Sequence, residues 1–197
     1  MVRGLCGHIL GLAAVLSAAA LLGAALLDGP DAAQAAAGGY TFSGGNAQER
    51  AVVHAALGAS TFDWSLVPAH VTIHITRGGN SYSTRGEIWL SAKLLSRGRA
   101  AWGVVQHEYA HQVDFFLFDA RVRRSLNRAL GGTTWWPGRA GEHFRHSQFG
   151  AERFASTLAW AYWPSKQNTL FRYAHDEATA LPPARFRTML SDLVASL

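Results

Sequence analysis

Apolar positions along this chain recur with two different periods, and the change of period marks out its elements. Ala47, Val52, Ala55 and Ala56 fall at helical spacing after Asn46, predicting a short helix over Ala47–Leu57 with Asn46 as its cap. From His70 to Thr76 the period drops to two. Val71, Ile73 and Ile75 fall on one side, and His70, Thr72, His74 and Thr76 on the other, so this is a strand with one buried face. His74 belongs to the polar face, as a solvated or satisfied histidine. Arg77-Gly78-Gly79-Asn80 reads as a turn, and Gly86–Ser91 as a second, short strand. A long helix is expected over Ser96–Phe118, and a second over Asp119–Leu130 that ends at Gly131-Gly132. Thr133 to Gln148 is a long irregular loop containing Trp135-Trp136. Phe149–Trp163 is again apolar at helical spacing and stops at Pro164. After a loop from Ser165 to Leu181, Pro182-Pro183 opens a last amphipathic helix with Phe186, Met189, Leu190, Leu193 and Val194 facing inward. There is no internal repeat, and the mixture of strands and helices indicates an α+β domain.

The N-terminus departs from both periods. Arg3 precedes an uncharged apolar run from Ile9 to Leu27, broken at Asp28-Gly29-Pro30 and followed by the small residues Ala33-Gln34-Ala35. This is the pattern of a secretory signal peptide over residues 1–35, with an uncleaved membrane anchor as the competing reading. Cys6, the one cysteine, lies ahead of the run, where it cannot serve as a lipid-anchored residue. Residues 36–45 are Gly-rich and expected to be a flexible segment, leaving 46–197 as a single domain large enough for its own core. The expected location is therefore secreted or extracytoplasmic, in a bacterium. Thiolate metal ligation and disulfides are excluded from the processed chain. The net charge of +5 is spread along the sequence, and Arg121, Arg123, Arg124 and Arg128 cluster as one solvated helix face.

Chemistry enters at His107-Glu108-Tyr109-Ala110-His111, an HExxH string inside the long apolar helix. Residues four apart share a helix face, so the two imidazoles can grip one tetrahedral zinc, at Zn–N distances of about 2.1 Å. Glu108 is then placed to take a proton from a water on that metal. From Ala100 to Gln112, Glu108 is the one residue with a formal charge, which makes a solvated helix surface a poor explanation.

Two histidines leave the metal incomplete, so a third protein ligand is required. Glu152, in the apolar stretch Phe149–Trp160, is the expected ligand, because a carboxylate among Phe149, Ala155 and Ala159 is costly to bury without a compensating cation. Asp114 shares the helical face of both histidines and is expected to orient an imidazole through a hydrogen bond. His143 and His146 are alternatives to Glu152 as ligand. Together with Tyr162 and Tyr173, they are also candidates for stabilising an oxyanion. Trp89 and Trp135-Trp136 are candidate subsite walls or core aromatics.

An HExxH helix followed by a glutamate on a later helix resembles the gluzincin branch of zinc metallopeptidases, particularly its minimal single-domain members. The resemblance covers roughly Val71 to Trp163. It implies a zincin-like fold, Zn2+ held by His107, His111 and Glu152, and Glu108 as general base. It further implies peptide aligned along an edge strand, here Gly86–Ser91. The sequence departs from the pattern at Ser156, where many gluzincins carry an aspartate that orients a motif histidine. The strings Phe62-Asp63-Trp64-Ser65, Phe115-Phe116-Leu117-Phe118-Asp119 and Phe154–Trp160 also resemble a group of exported bacterial proteins without assigned activity. The expected function is that of an exported zinc metallopeptidase. Its partner would be a peptide or protein substrate, with no nucleic acid, and with the membrane involved only if the leader stays uncleaved. The chain is expected to be a monomer. The rival expectation is an exported zinc-binding scaffold without peptidase activity, docking a protein or cell-envelope partner.

Overall fold

The computed structural model describes residues 39–137 and 144–196. The expected leader, its cleavage site and His143 lie outside these residues. Among the described residues the fold is α+β, with one four-stranded mixed sheet and eight α-helices. None of these helices is long and apolar enough to cross a membrane.

The sheet is built from β1 (Tyr40–Gly44), β2 (Val71–Thr76), β3 (Tyr82–Thr84) and β4 (Glu87–Ser91), in the order β1-β2-β4-β3. β1 and β4 run parallel to β2, whereas β3 runs antiparallel to β4. β2 alternates as its sequence requires: Val71, Ile73 and Ile75 are buried and the residues between them are half-exposed. His74 lies on the outer face, stacked on Trp89 at 4.8 Å and 3.3 Å from the carboxylate of Glu87. It is a satisfied surface histidine.

Two expectations are corrected here. Residues 40–44 are not a flexible entry segment but strand β1, whose Tyr40 is fully buried. Gly86–Ser91 is not an edge strand either, because β4 is paired on both sides and the edge belongs to β3. Both errors come from a strand that went unread, β1 in the first case and β3 in the second, since strands this short carry too few apolar positions to show a period.

The helices are α1 (Ala47–Ala59), α2 (Ala92–Leu95), α3 (Trp102–Leu117), α4 (Ala120–Leu130), α5 (Gly150–Tyr162), α6 (Leu170–Tyr173), α7 (His175–Ala178) and α8 (Pro183–Ala195). Asn46 and Glu49 form a reciprocal capping box at the start of α1. The stretch expected as one helix over Ser96–Phe118 is divided, with a 3-10 turn at Gly98–Ala101 preceding α3, which ends at Leu117. Asp119 caps α4 by accepting from the Val122 N–H at 2.7 Å, and Gly131 closes that helix at φ +73°, a conformation that favours glycine.

α3 and α5 pack against each other at the centre of the molecule. Phe154, Ala155 and Leu158 of α5 are fully buried, as are Tyr109, Ala110 and Val113 of α3. Burying a phenylalanine such as Phe154 contributes about 2–3 kcal/mol. The loop between α4 and α5 is closed at its base. The Thr133 N–H donates to Gln148 O at 2.8 Å, the Gly150 N–H to Thr134 O at 2.7 Å, and Thr134 bridges Phe149. A side chain at Gly132 or Gly150 would collide with this neck, since a Cβ on Gly132 would sit 2.8 Å from the Gly150 Cα.

Candidate metal centre

α3 carries the HExxH string on its most buried stretch, and α5 brings Glu152 to it from 41 positions beyond His111. His107 Nε2 lies 3.1 Å from Glu152 Oε2, His111 Nε2 lies 3.4 Å from the same oxygen, and the two Nε2 atoms are 3.2 Å apart. Ligands about 2.1 Å from a tetrahedral zinc are separated by about 3.4 Å. The three atoms therefore have the mutual spacing of three corners of such a tetrahedron. Both imidazoles are buried, with 6 % and 4 % of their surface accessible.

His146, one of the alternatives to Glu152, also reaches the cluster. Its Nε2 is 2.9 Å from Glu152 Oε2, and His107, His146 and Glu152 form a group whose ligand atoms lie within 4.8 Å of one another and could hold a metal ion. It comes from the 3-10 turn His146–Gln148 and keeps 62 % of its side chain exposed. It joins Glu152 and does not replace it.

Sequence reasoning missed Glu177. It lies on the four-residue helix α7 inside a stretch expected to be loop, and it is 4 % exposed. One carboxylate oxygen, Oε1, is 3.0 Å from His146 Nδ1, and the other, Oε2, accepts from Ser156 Oγ at 3.0 Å. Ser156 Oγ is in turn 3.0 Å from His107 Nδ1. Since the serine proton goes to Glu177, Ser156 accepts from His107 Nδ1–H. That order leaves His107 Nε2 with its lone pair directed at the cluster. Ser156, together with Glu177, thus occupies the place where the resembled family uses an aspartate. Thr157 Oγ1 donates to Glu177 O at 2.7 Å and fixes α7 against α5.

Asp114 does not orient an imidazole. Its carboxylate, fully buried, accepts from Arg123 Nε at 2.7 Å and Trp135 Nε1 at 3.0 Å. Burial pushes its carboxyl pKa up, against the pull of those two donors. Three helical positions place Asp114 on the right face, but α4 presents an arginine to it first. His111 Nδ1 has no hydrogen-bond partner among the described residues. Its ring is held by packing instead, 5.4 Å from Trp136, which stacks on Phe115. Trp136 therefore walls the site, whereas Trp135 packs toward Phe154. Neither tyrosine proposed for the oxyanion joins the cluster. Tyr162 packs edge-on against Phe62, and Tyr173 is 77 % exposed.

The motif glutamate is held from the sheet edge. Ser83 Oγ, on β3, lies 2.8 Å from Glu108 Oε2 and 2.8 Å from Glu108 O. Gln112, one turn further along α3, clamps the adjoining β3–β4 turn: its Oε1 accepts from Gly86 N–H at 2.8 Å and its Nε2 donates to Thr84 O at 2.9 Å. The edge strand and the motif helix are consequently tied to each other on both sides of Glu108.

Electrostatics describe the same demand. Burial opposes ionisation of Glu152, yet hydrogen bonds from His107, His111 and His146 hold its carboxyl well below the usual range. Burial likewise works against charged His107, but the hydrogen bond and charge of Glu152 raise its pKa. Hydrogen bonds to Glu152 and Glu177 push His146 up to about 10. Several acceptor atoms at contact distance draw positive charge to their centre, and protons or a divalent cation satisfy that demand alike. The donor set of imidazoles and a carboxylate suits zinc and other borderline divalent ions.

Comparison with known proteins finds no matching family, no similar curated protein and no similar solved structure.

Proposed function

We propose that this chain is an exported zinc metallopeptidase of the gluzincin kind, with a zincin-like fold. The observation that carries this reading is the convergence of His107, His111 and Glu152 at tetrahedral spacing, with Glu108 on the same helix. His107 Nε2, His111 Nε2 and Glu152 Oε2 would hold the ion. Bound there, zinc supplies a Lewis acid that lowers the pKa of a water towards about 7 and polarises a peptide carbonyl.

The residues of the chain account for the remaining steps. Glu108, steadied by Ser83, takes the proton of the attacking water and returns it to the departing amine. His146 Nε2 faces the cluster with its other nitrogen tied to Glu177, which suits it to donate to the oxyanion as the carbonyl is attacked. The free side of β3 is available to align an extended peptide as an added strand. Export rests on the charge and apolar pattern of residues 1–35.

The test is turnover. Zinc-loaded protein should cleave an unfolded protein or peptide library, and Glu108→Gln should lower kcat by about 10²- to 10⁴-fold while zinc content stays at one per chain. Equal cleavage by the variant would remove the assigned base.

One observation favours a second reading. His146 lies 2.9 Å from Glu152, and as a fourth protein ligand it would close the coordination sphere, the mark of a structural site. The protein would then be a zinc-stabilised scaffold. Cobalt substitution separates the two readings, since a spectrum that shifts on adding a small anion requires an open position.

A further inference from the structure

Glu108 also lines a cavity of about 400 Å³ whose walls include neither motif histidine nor Glu152. Its walls are the β2–β3 turn with Asn80 and Ser81, the α2 region with Lys93, Leu94 and Arg97, and Val104 and Glu108 of α3. Leu94 and Val104 offer apolar contact, and Asn80, Ser81 and Ser91 offer hydrogen bonds. Glu108 is the only acidic residue lining it, against two cations.

Those cations differ from others nearby. Arg77 is paired with Glu49 at 2.6 Å and Arg123 with Asp114 at 2.7 Å, but neither Lys93 nor Arg97 has an acidic partner among the described residues. Lys93 is also one of only two lysines in a chain that otherwise uses arginine. Two exposed, unpaired cations at the mouth of a cavity that contains the assigned base form a ready counter-charge for an incoming anion. Asn80 and Ser81, which line the cavity, lead directly into β3, so a peptide laid along that strand would run beside it, and its side chains alternate in direction, offering one in two to the cavity.

We propose that this cavity is a subsite for a carboxylate of the peptide substrate, recognised by Lys93 and Arg97. The proposal rests on the peptidase reading and narrows its substrates to peptides with an acidic residue, or a free C-terminus, next to the scissile bond. The carboxylate's methylenes lie against Leu94 and Val104, its oxygens meet the two cations, and the cations offset its repulsion by Glu108.

Binding to the full-length Glu108→Gln chain, loaded with zinc, tests this without turnover. Fluorescently labelled peptides are compared in which one glutamate is walked through a glutamine background, each with a free and an amidated C-terminus. At one position glutamate should bind roughly tenfold tighter than glutamine, the scale of two partly exposed ion pairs. Adding Lys93→Gln and Arg97→Gln should erase the preference, and Lys93→Glu with Arg97→Glu should transfer it to a peptide lysine. A preference for the free over the amidated terminus, erased by the same changes, would identify the terminus as the source of the carboxylate. No preference, a preference that survives the double variant, or no peptide binding would overturn the subsite. Cleavage of peptides by the wild-type chain without acidic preference would refute the subsite and leave the peptidase reading standing. Acid-selective binding without any wild-type turnover would do the reverse.

Discussion

Two buried clusters on α3, one turn apart, handle the same problem differently. Asp114 is fully buried and receives a guanidinium from α4 together with an indole N–H. Glu152 is largely enclosed too, but its charged partners among the described residues are three imidazoles, with no lysine or arginine. A buried carboxylate requires compensating positive charge. At Asp114 the chain provides that charge permanently, which yields structure. At Glu152 it provides imidazoles, which can carry that charge as protons or give their nitrogens to a metal ion instead, and this makes a candidate site. The identity of the cation donor, more than the depth of the acid, separates a structural cluster from a candidate site.

The sharpest way to break this contrast is to remove the acid from each cluster in turn. Glu152→Gln should weaken zinc binding about thousandfold, since one ligand among three accounts for a large share of a binding free energy of 10–16 kcal/mol. Competition with a chromophoric chelator measures it, and unchanged affinity would move the ligand role to His146. Asp114→Ala should do the opposite. Folding stability should fall by about 3 kcal/mol, because Arg123 and Trp135 lose their acceptor, while the zinc affinity of the folded protein stays constant. Parallel denaturant and chelator titrations read both quantities on one sample.

A smaller effect is expected at Glu177. Glu177→Gln should weaken zinc binding about 10- to 100-fold, as other changes to partners of ligating histidines do. Ser156→Ala should reproduce the part that acts through His107 but not the part that acts through His146. If the two variants match in both zinc affinity and kcat, the carboxylate does not serve His146.

The smallest effect concerns pH. In metal-free protein the His146 pKa is raised to about 10 from an ordinary 6.5, so its contribution to stability is complete below pH 6.5 and lost as pH climbs through 10. The Glu152 carboxyl is depressed, so its contribution is present at neutral pH and lost only in acid. Metal-free Tm should therefore decline between pH 6.5 and 10. The decline should be slight, because His146 is largely exposed and solvent screens it. Zinc and protons compete for the same nitrogens, so the loaded protein should not show this decline, and zinc binding near pH 7 should release protons measurable by indicator dye.

The sequence was most legible where chemistry and period coincide. HExxH, with Glu108 the one formal charge from Ala100 to Gln112, announces two candidate ligands and a candidate base in five letters, and the buried side of β2 follows directly from alternation. Glu152 could be read because a lone acid in an apolar helix is an energetic anomaly. Glu177 could not, because α7 is a single turn with no period and its partners His146 and Ser156 lie 31 and 21 positions away. β1 and β3 were hidden for a related reason. Each depends on hydrogen bonds to a neighbouring strand more than on its own side chains, and a sequence records side chains. Asp114 misled because helical spacing gives the face of a helix but not which residue of the next helix reaches that face first.

The neck between Thr133–Trp135 and Gln148–Ala151 has a consequence for how this scaffold tolerates change. Its backbone hydrogen bonds and apposed glycines fix where the chain leaves α4 and where it enters α5, whatever lies between. A side chain placed at Gly132 or Gly150 should therefore reach the candidate centre from a distance, by displacing the start of α5 and with it Glu152.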